Sequence, residues 1–336
     1  MADDMTNVLW TNSDWMADAR AWITGRLAER SIAQTGEWTQ PHVRAWATAI
    51  RVPTDRGPMW FKATTPVLAH ESRVTTFLST ISGGRTPEVI DSDPERNWLL
   101  MADGGVTLRS LFNGSEDAKR LHELVKVYAG LQRDMVPHVE SILEMGAPDC
   151  RLANFPGLFQ AMIEQPDVLL VGQEGGLSRD EELRLQQFGP CVVAMCEELS
   201  GFGIPETIQH DDLHSNNVLV NDGRTLVFDW GDCSVSHPFL SLLILLGGAA
   251  RDLKCEIDDQ KVRELRQAYL DVWELSISHA ESSRACAIAE VLASISRALT
   301  WNRLAVGIPD TMPAEYADYV PFRMRMVLAA YDALTA

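Results

Sequence analysis

Four residues within a stretch of 23 carry the chemistry that this chain could perform. The stretch runs from His210 to Asp232 and reads HDDLHSNNVLVNDGRTLVFDWGD. His210, Asp212 and Asn217 are spaced as His, one residue, Asp, four residues, Asn, and Asp229 follows twelve positions later. Phosphoryl transfer needs a carboxylate to accept the proton of the attacking hydroxyl, and hard oxygen donors to hold a divalent cation against the phosphates. Asp212 suits the first role. An amide oxygen from Asn217 beside a carboxylate from Asp229 suits the second, with Mg²⁺ as the ion. A lone Asp and Asn five apart marks a turn more often than a site, but the joint pattern is far rarer.

Those groups must be brought together by local structure, and the intervening residues predict how. Two short β-branched and apolar runs, VLV and TLVF, flank Asn221-Asp222-Gly223, which is a tight hairpin signal. With Asp222 and Gly223 in the turn, Val220 faces Thr225 and Asn217 faces Phe228. Asn217 and Asp229 then sit side by side at the open end of the hairpin. Asp232 could support a metal site from behind or cap the loop, and the loop cap is the better reading. Cys233, next to that loop, reads as packing.

The pattern His210-x-Asp212-Leu213-His214-x-x-Asn217, followed by an apolar run into Asp229-Trp230-Gly231, resembles the aminoglycoside phosphotransferase family. That family belongs to the kinase-like small-molecule kinases, which include choline kinases. His214 is typical of the small-molecule branch. Asp229-Trp230-Gly231 stands where protein kinases carry Asp-Phe-Gly. Carried over by position, the resemblance implies that Asp212 is the catalytic base and that Asn217 and Asp229 are the Mg²⁺ ligands. This chain has Ser215-Asn216 where the family often has Pro-Gly, and Asp211 where it often has Gly. Neither change removes a functional group.

The resemblance implies an α+β, two-lobe, protein-kinase-like fold, with a small antiparallel N-lobe sheet and a larger, mainly helical C-lobe. Upstream of the motif, Gly36 to Ala63 reads as strands, with WATAIRVPT and PMWFKA separated by Thr54-Asp55-Arg56-Gly57. Lys62 ends the second of these, and is the candidate for neutralising nucleotide phosphates. Glu71, nine residues on, opens a helix-like run and is the candidate ion-pair partner of Lys62. No Gly-x-Gly-x-x-Gly loop precedes Lys62, so the cover over the phosphates would lie near Trp46-Ala47-Thr48. Trp98 to Met101 reads as a strand leading into Gly104-Gly105 and then a helix, which suits an interlobe hinge. In kinase-like folds the hinge backbone contacts the adenine, which assigns Met101, Ala102 and Asp103 by position. The lobes are expected at 1–103 and 104–336.

Further helices are expected at about 12–29, where a stripe from Trp15 to Leu27 follows Asn12 or Ser13, and over 115–133, 138–145 and 177–201, the last with Ser178 as cap. Ala147 to Phe159 reads as loop. Helices are expected again over 239–250, 258–281, 282–304 and 313–334. In small-molecule kinases such C-terminal helices build the acceptor pocket. Asp258, Asp259, Glu274, Glu281 and Glu290 are the candidate carboxylates for a cationic acceptor, though most such residues are solvated helix faces. Trp301 either walls that pocket or packs.

Composition narrows the partners. The chain has 336 residues, 46% of them hydrophobic, enough for a sizeable core. It carries 29 basic against 47 acidic residues, a formal charge of -18. Nucleic-acid binding needs a basic face and is disfavoured, whereas an acidic protein attracts cationic ligands at long range. The six cysteines show no Cys-x-x-Cys pair and read as free thiols in a reducing cytosol. The N-terminus lacks a signal-peptide charge pattern. The longest apolar run, Phe239 to Ala250, is too short to span a bilayer. The function expected is therefore Mg²⁺-dependent transfer of a γ-phosphoryl group from ATP or GTP to a hydroxyl of a small molecule. The acceptor could be an aminoglycoside or other amine-bearing antibiotic, which would make the activity one of antibiotic resistance. The alternatives are a metabolic kinase for a sugar, amino alcohol or amino acid, and a regulatory, nucleotide-binding pseudokinase.

Overall fold

The computed structural model describes residues 9–309 and 312–335; the first eight residues, part of the N-terminus read above, lie outside the described residues. Helix α1 (Ser13–Glu29) starts where Asn12 caps it, its Oδ1 accepting from the amides of Asp14 and Trp15 at 2.9 and 3.1 Å. Strands β1 (Thr39–Val43), β2 (Ala47–Val52) and β3 (Met59–Thr64) follow, then helix α2 (His70–Ile81) and strands β4 (Val89–Asp93) and β5 (Trp98–Ala102). The five strands form one antiparallel sheet in the order β1-β2-β3-β5-β4. Period-2 alternation in β3 sends Phe61 and Ala63 into the core and Lys62 to the opposite face. The core side is aromatic. Trp15 and Trp22 of α1 pack on Phe61 and Trp98 with ring centroids 5.7–6.2 Å apart. Both tryptophans of the sequence stripe are therefore packing residues.

A second, larger core belongs to the helical part, and α2 contributes Val74 and Leu78 to it. Its elements are β6 (Val106–Thr107), α3 (Asp117–Met135), α4 (Val139–Glu144), α5 (Phe155–Ile163), α6 (Pro166–Leu169), α7 (Arg179–Gln186), α8 (Gly189–Gly201), β7 (Thr207–Gln209), β8 (Val218–Asn221), β9 (Arg224–Val227), β10 (Ser234–Ser236), α9 (Leu242–Leu253), α10 (Gln260–Trp273), α11 (His279–Gly307) and α12 (Tyr319–Thr335). The expected hairpin is β8–β9. Val220 pairs with Thr225 across a turn in which Asp222 and Gly223 both have positive φ, 49° and 75°. Phe228 N donates to Asn217 O at 3.1 Å, which brings the two ends of the motif together.

Several boundaries differ from the sequence reading, each for a local reason. No helix starts directly after Gly105. Instead Val106 pairs with Val220 as a third strand beside the hairpin. A Cβ on Gly105 would lie 2.3 Å from Val220 O, so only glycine permits that approach. Phe155 starts helix α5 inside the expected loop, because Pro156 stands in its first turn, where proline is tolerated. The expected helix over 177–201 is two helices, α7 with a Ser178–Glu181 capping box and α8 with Pro190 in its first turn. Helix α10 ends at Trp273, with Glu274 left-handed beyond it, and α11 restarts at a second capping box, Ser278 with Glu281.

Caps and one ion pair account for three of the five carboxylates considered for a cationic acceptor. Asp259 caps α10, Glu281 closes the α11 box, and Glu274 pairs with Arg133 at 3.2 Å. Among the described residues no helix is long and apolar enough to cross a membrane.

His237 is fully buried before the helical turn that leads into α9. Its Nδ1 accepts from Phe239 N at 3.3 Å, and its Nε2 has no partner among the described residues. Burial holds its pKa down at about 3, against about 6.5 for an unfolded histidine. The unfolded chain thus binds the extra proton first as pH falls. Stability from this group is complete above about pH 6.5 and declines as pH falls toward 3. His237→Asn keeps an acceptor for the Phe239 amide and removes the titration. We expect urea unfolding at pH 7.5 and 5.5 to show a pH-dependent loss smaller in the variant by about 1.4 kcal/mol, the value of one pKa unit. Equal losses in both proteins would exclude His237 as the source.

Candidate active site

Lys62 projects from the face of β3 opposite the aromatic core, and its Nζ is shared by two carboxylates. It donates to Glu71 Oε1 of α2 and to Asp229 Oδ1, each at 2.5 Å. Burial opposes the ammonium charge, but Asp229 and Glu71 outweigh it and hold the lysine pKa well above its ordinary value. Burial raises Glu71, with Lys62 pulling it back. Burial also acts to raise Asp229, yet Lys62 prevails and keeps that carboxyl below the usual range. Glu71 sits against the Asp229 loop: a Cβ on Gly231 would lie 3.1 Å from Glu71 Oε2. The expected Lys62–Glu71 ion pair is thus present, and Asp229 completes a triad with it.

The residues from His210 to Asn217 are held from several sides. His210 is buried. Its Nε2 lies 2.8 Å from Phe228 O, its backbone N donates to Tyr128 Oη at 2.9 Å, and its ring packs on Trp230 at 4.8 Å. Asp211, which stands where glycine was expected, has φ 62° and is buried, and its Oδ2 accepts from Thr300 Oγ1 at 2.5 Å. Asp212 is partly open to the cleft. Its Oδ1 accepts from Arg297 Nη2 at 2.8 Å, while Asn217 Nδ2 lies 3.3 Å and His214 Nε2 3.6 Å from its Oδ2. Burial lifts the Asp212 carboxyl above the usual carboxylate range, and Arg297 draws it back.

Asn217 Nδ2 also donates to Asp212 O at 2.9 Å. That contact commits its nitrogen and leaves its oxygen as a donor for a cation. With the carboxylate of Asp229 it forms a hard-oxygen set of the kind Mg²⁺ accepts. Among the described residues no group of three or more His, Cys, Asp or Glu side chains could hold a metal ion.

Sequence reasoning passed over Arg297. Its guanidinium bridges two carboxylates, Asp212 and Asp232, donating through Nη1 to Asp232 Oδ2 at 2.5 Å. Asp232 is therefore an ion-pair partner rather than a loop cap. The signal was present in the sequence: Arg297 is the only charged residue between Glu290 and Arg303, in an otherwise apolar and small-residue run. A buried arginine in such a run requires a carboxylate from elsewhere.

One cleft of about 530 Å³ lies between the sheet and the helical part. Lys62, Asp212, Asn217, Asp229, Asp232 and Arg297 line it, as do Met101, Ala102 and Asp103 at the end of β5. Trp46 and Ala47 form part of the wall on the side expected to cover the phosphates, while Thr48 is buried beneath. Trp301 both lines the cleft and packs, stacking on Tyr316 at 5.3 Å and lying 5.9 Å from Trp46. None of the five carboxylates proposed for a cationic acceptor lines this cleft. Cys233 is buried packing, and all six cysteines are free.

Solved structures share this architecture. A choline/ethanolamine kinase family protein from Mesorhizobium loti superposes with a TM-score of 0.62 at 15% identity, covering 94% of this chain and 95% of that one. An ethanolamine kinase from Plasmodium vivax gives 0.63 at 12% identity, covering 96% and 89%. A structure described as a putative aminoglycoside phosphotransferase from Ralstonia eutropha gives 0.59 at 14% identity, covering 95% and 98%. These likenesses establish the two-lobe kinase-like fold. A search of curated proteins finds no sequence match. The family model described as "Phosphotransferase enzyme family" (APH) matches residues 61–276, from the strand that carries Lys62 through α10. That span is well over half of the chain and includes Lys62, Glu71, Asp212, Asn217 and Asp229, so the chain belongs to the phosphotransferase enzyme family.

Proposed function

We propose that the chain transfers the γ-phosphoryl group of ATP, or of GTP, to a hydroxyl of a small molecule. The observation that carries this reading is one cleft holding both Lys62, clamped between Glu71 and Asp229, and the Asp212–Asn217 pair. Lys62 neutralises phosphate charge, and Glu71 fixes its position. The backbone of Met101 to Asp103 receives the purine. Asp212 orients the acceptor hydroxyl and accepts its proton. Asn217 and Asp229 hold Mg²⁺, which supplies charge neutralisation at the phosphate oxygens. Transfer of this kind rests on positioning and on electrostatic stabilisation more than on covalent chemistry. We take the lobes to divide at 103/104, with the nucleotide between them.

For the acceptor, an amine-bearing molecule is the first reading, because a chain of formal charge -18 draws cations toward it. An aminoglycoside or related antibiotic is one such class. An amino alcohol is another, and the ethanolamine and choline kinase likenesses favour it as the metabolic alternative. A regulatory pseudokinase is disfavoured, since Lys62, Asp212, Asn217 and Asp229 are all present. Six free thiols fit a reducing, cytosolic setting.

The test is Mg²⁺-dependent nucleotide turnover across aminoglycosides, amino sugars, amino acids, ethanolamine and choline. Asp212→Ala should lower kcat by about 10³-fold, within the range for loss of a general base, and leave nucleotide affinity intact. Parallel loss of binding and turnover in the folded variant would remove Asp212 from that role. Asp229→Ala should instead weaken nucleotide binding in Mg²⁺ and bring it close to the level seen in chelator. Metal-dependent binding equal to wild type would reject Asp229 as a ligand.

A further inference from the structure

Helix α11 touches the catalytic machinery along one stripe. Ser296 Oγ accepts from Gln209 Nε2 at 2.8 Å, just before the catalytic loop. Thr300 Oγ1 donates to Asp211 Oδ2. Between them Arg297 is 6% exposed, and its two terminal nitrogens reach different loops, Asp212 in one and Asp232 in the other. Asp232 lies three residues beyond Asp229. One guanidinium thus links the loop that carries the catalytic base to the loop that carries a metal ligand.

The two oxygens of Asp212 are not equivalent under this arrangement. Oδ1 is engaged by a charged donor at 2.8 Å, whereas among the described residues Oδ2 has only longer contacts, at 3.3 and 3.6 Å. A carboxylate at the end of a short side chain rotates unless a directional partner stops it. A planar fork held at its other tine by a second carboxylate is such a partner, and a lysine is not, because one ammonium on a flexible stem has no fixed second arm.

From this geometry we propose that Arg297 is the positioning residue of the reaction: it holds Asp212 Oδ1 so that Oδ2 is the oxygen offered to the acceptor hydroxyl, and Asp232 holds Arg297 in place. The inference rests on the phosphotransferase reading above. It adds α11, which lies outside the 61–276 match, to the parts that the reaction needs. Arg297 touches neither phosphate nor acceptor in this role, so its loss acts on kcat and spares nucleotide binding.

The experiment compares wild type with Arg297→Ala, Arg297→Lys and the double variant Arg297→Ala/Asp232→Asn. The double variant removes one of the two carboxylate charges that a single truncation would strand, the one more remote from the proposed chemistry, and so remains testable where Arg297→Ala fails to fold. Nucleotide affinity is read by titration with a fluorescent ATP analogue in Mg²⁺. Turnover is read on the best acceptor of the panel and, without acceptor, on water. We expect kcat to fall about 100-fold in Arg297→Ala and in the double variant, the cost of a misplaced reacting group, with nucleotide affinity within about twofold of wild type. Guanidinium ion at tens of millimolar should restore about tenfold of the lost kcat in Arg297→Ala, and Arg297→Lys should lie between the extremes. Turnover within about threefold of wild type in a folded variant lacking Arg297 would overturn the inference. So would a loss of kcat matched by loss of nucleotide binding, or one that neither guanidinium nor lysine recovers. A wild-type protein that binds nucleotide but turns it over on no acceptor and not on water would overturn the phosphotransferase reading itself, a result distinct from failure of the Arg297 variants alone.

Discussion

The cleft depends on a lysine ammonium taken out of bulk water and shared between two carboxylates. Burying a charge costs several kcal/mol unless close partners compensate. Glu71 and Asp229 do so at 2.5 Å each. The three groups come from different parts of the chain: the central sheet, α2 and the loop after β9. Glu71 is buried and Lys62 nearly so, which makes their charges depend on each other, and with Asp229 the triad ties the sheet to the helical part across the cleft. The fold supports that tie from behind. The Trp15, Trp22, Phe61 and Trp98 cluster stiffens β3 on one face, and the Val74–Leu78 face of α2 anchors Glu71 in the larger core.

A second charge network, around Asp212, has the same form. There one guanidinium, Arg297, is shared between Asp212 and Asp232. The site is therefore built from two buried cations, each bridging two carboxylates. The formal charge of -18 describes the whole molecule and governs long-range attraction. Within this cleft the same sign holds locally, because the four carboxylates Glu71, Asp229, Asp212 and Asp232 outnumber Lys62 and Arg297. The backbone bears strain at the same two loops. Asp211 and Asp229 both adopt positive φ, 62° and 68°, a conformation that aspartate tolerates better than most residues and that accumulates at functional sites.

The division between what sequence and tertiary structure determine follows from the range of the forces involved. The β8–β9 hairpin was legible because its register is fixed by a two-residue turn, so naming Asp222-Gly223 named Val220 opposite Thr225. A cap at Asn12 or Ser13, which the structure gives to Asn12, and one at Ser178 were legible for the same reason: a side chain within three residues of a helix start satisfies its free amides. Lys62 and Glu71 could be nominated from their order along the chain. Prolines were misread where they open a helix and not where they break one, as at Pro156. A Gly-Gly pair was read as leading into a helix when its role was to let Val106 reach Val220.

Arg297 marks the limit. It lies 85 residues from Asp212 in sequence, and nothing local says which carboxylate a buried arginine will meet. The sequence by itself determined the groups that could perform phosphoryl transfer, and the hairpin that sets Asn217 beside Asp229, because those relations are written within a dozen residues. The tertiary structure alone decided that α11 lies against the 210–217 loop, that Asp232 faces a guanidinium and not the loop backbone, and that Asp229 completes the Lys62–Glu71 pair. Those outcomes depend on how helices far apart in the chain pack together, and pair contacts at that range follow from the shape of the whole core.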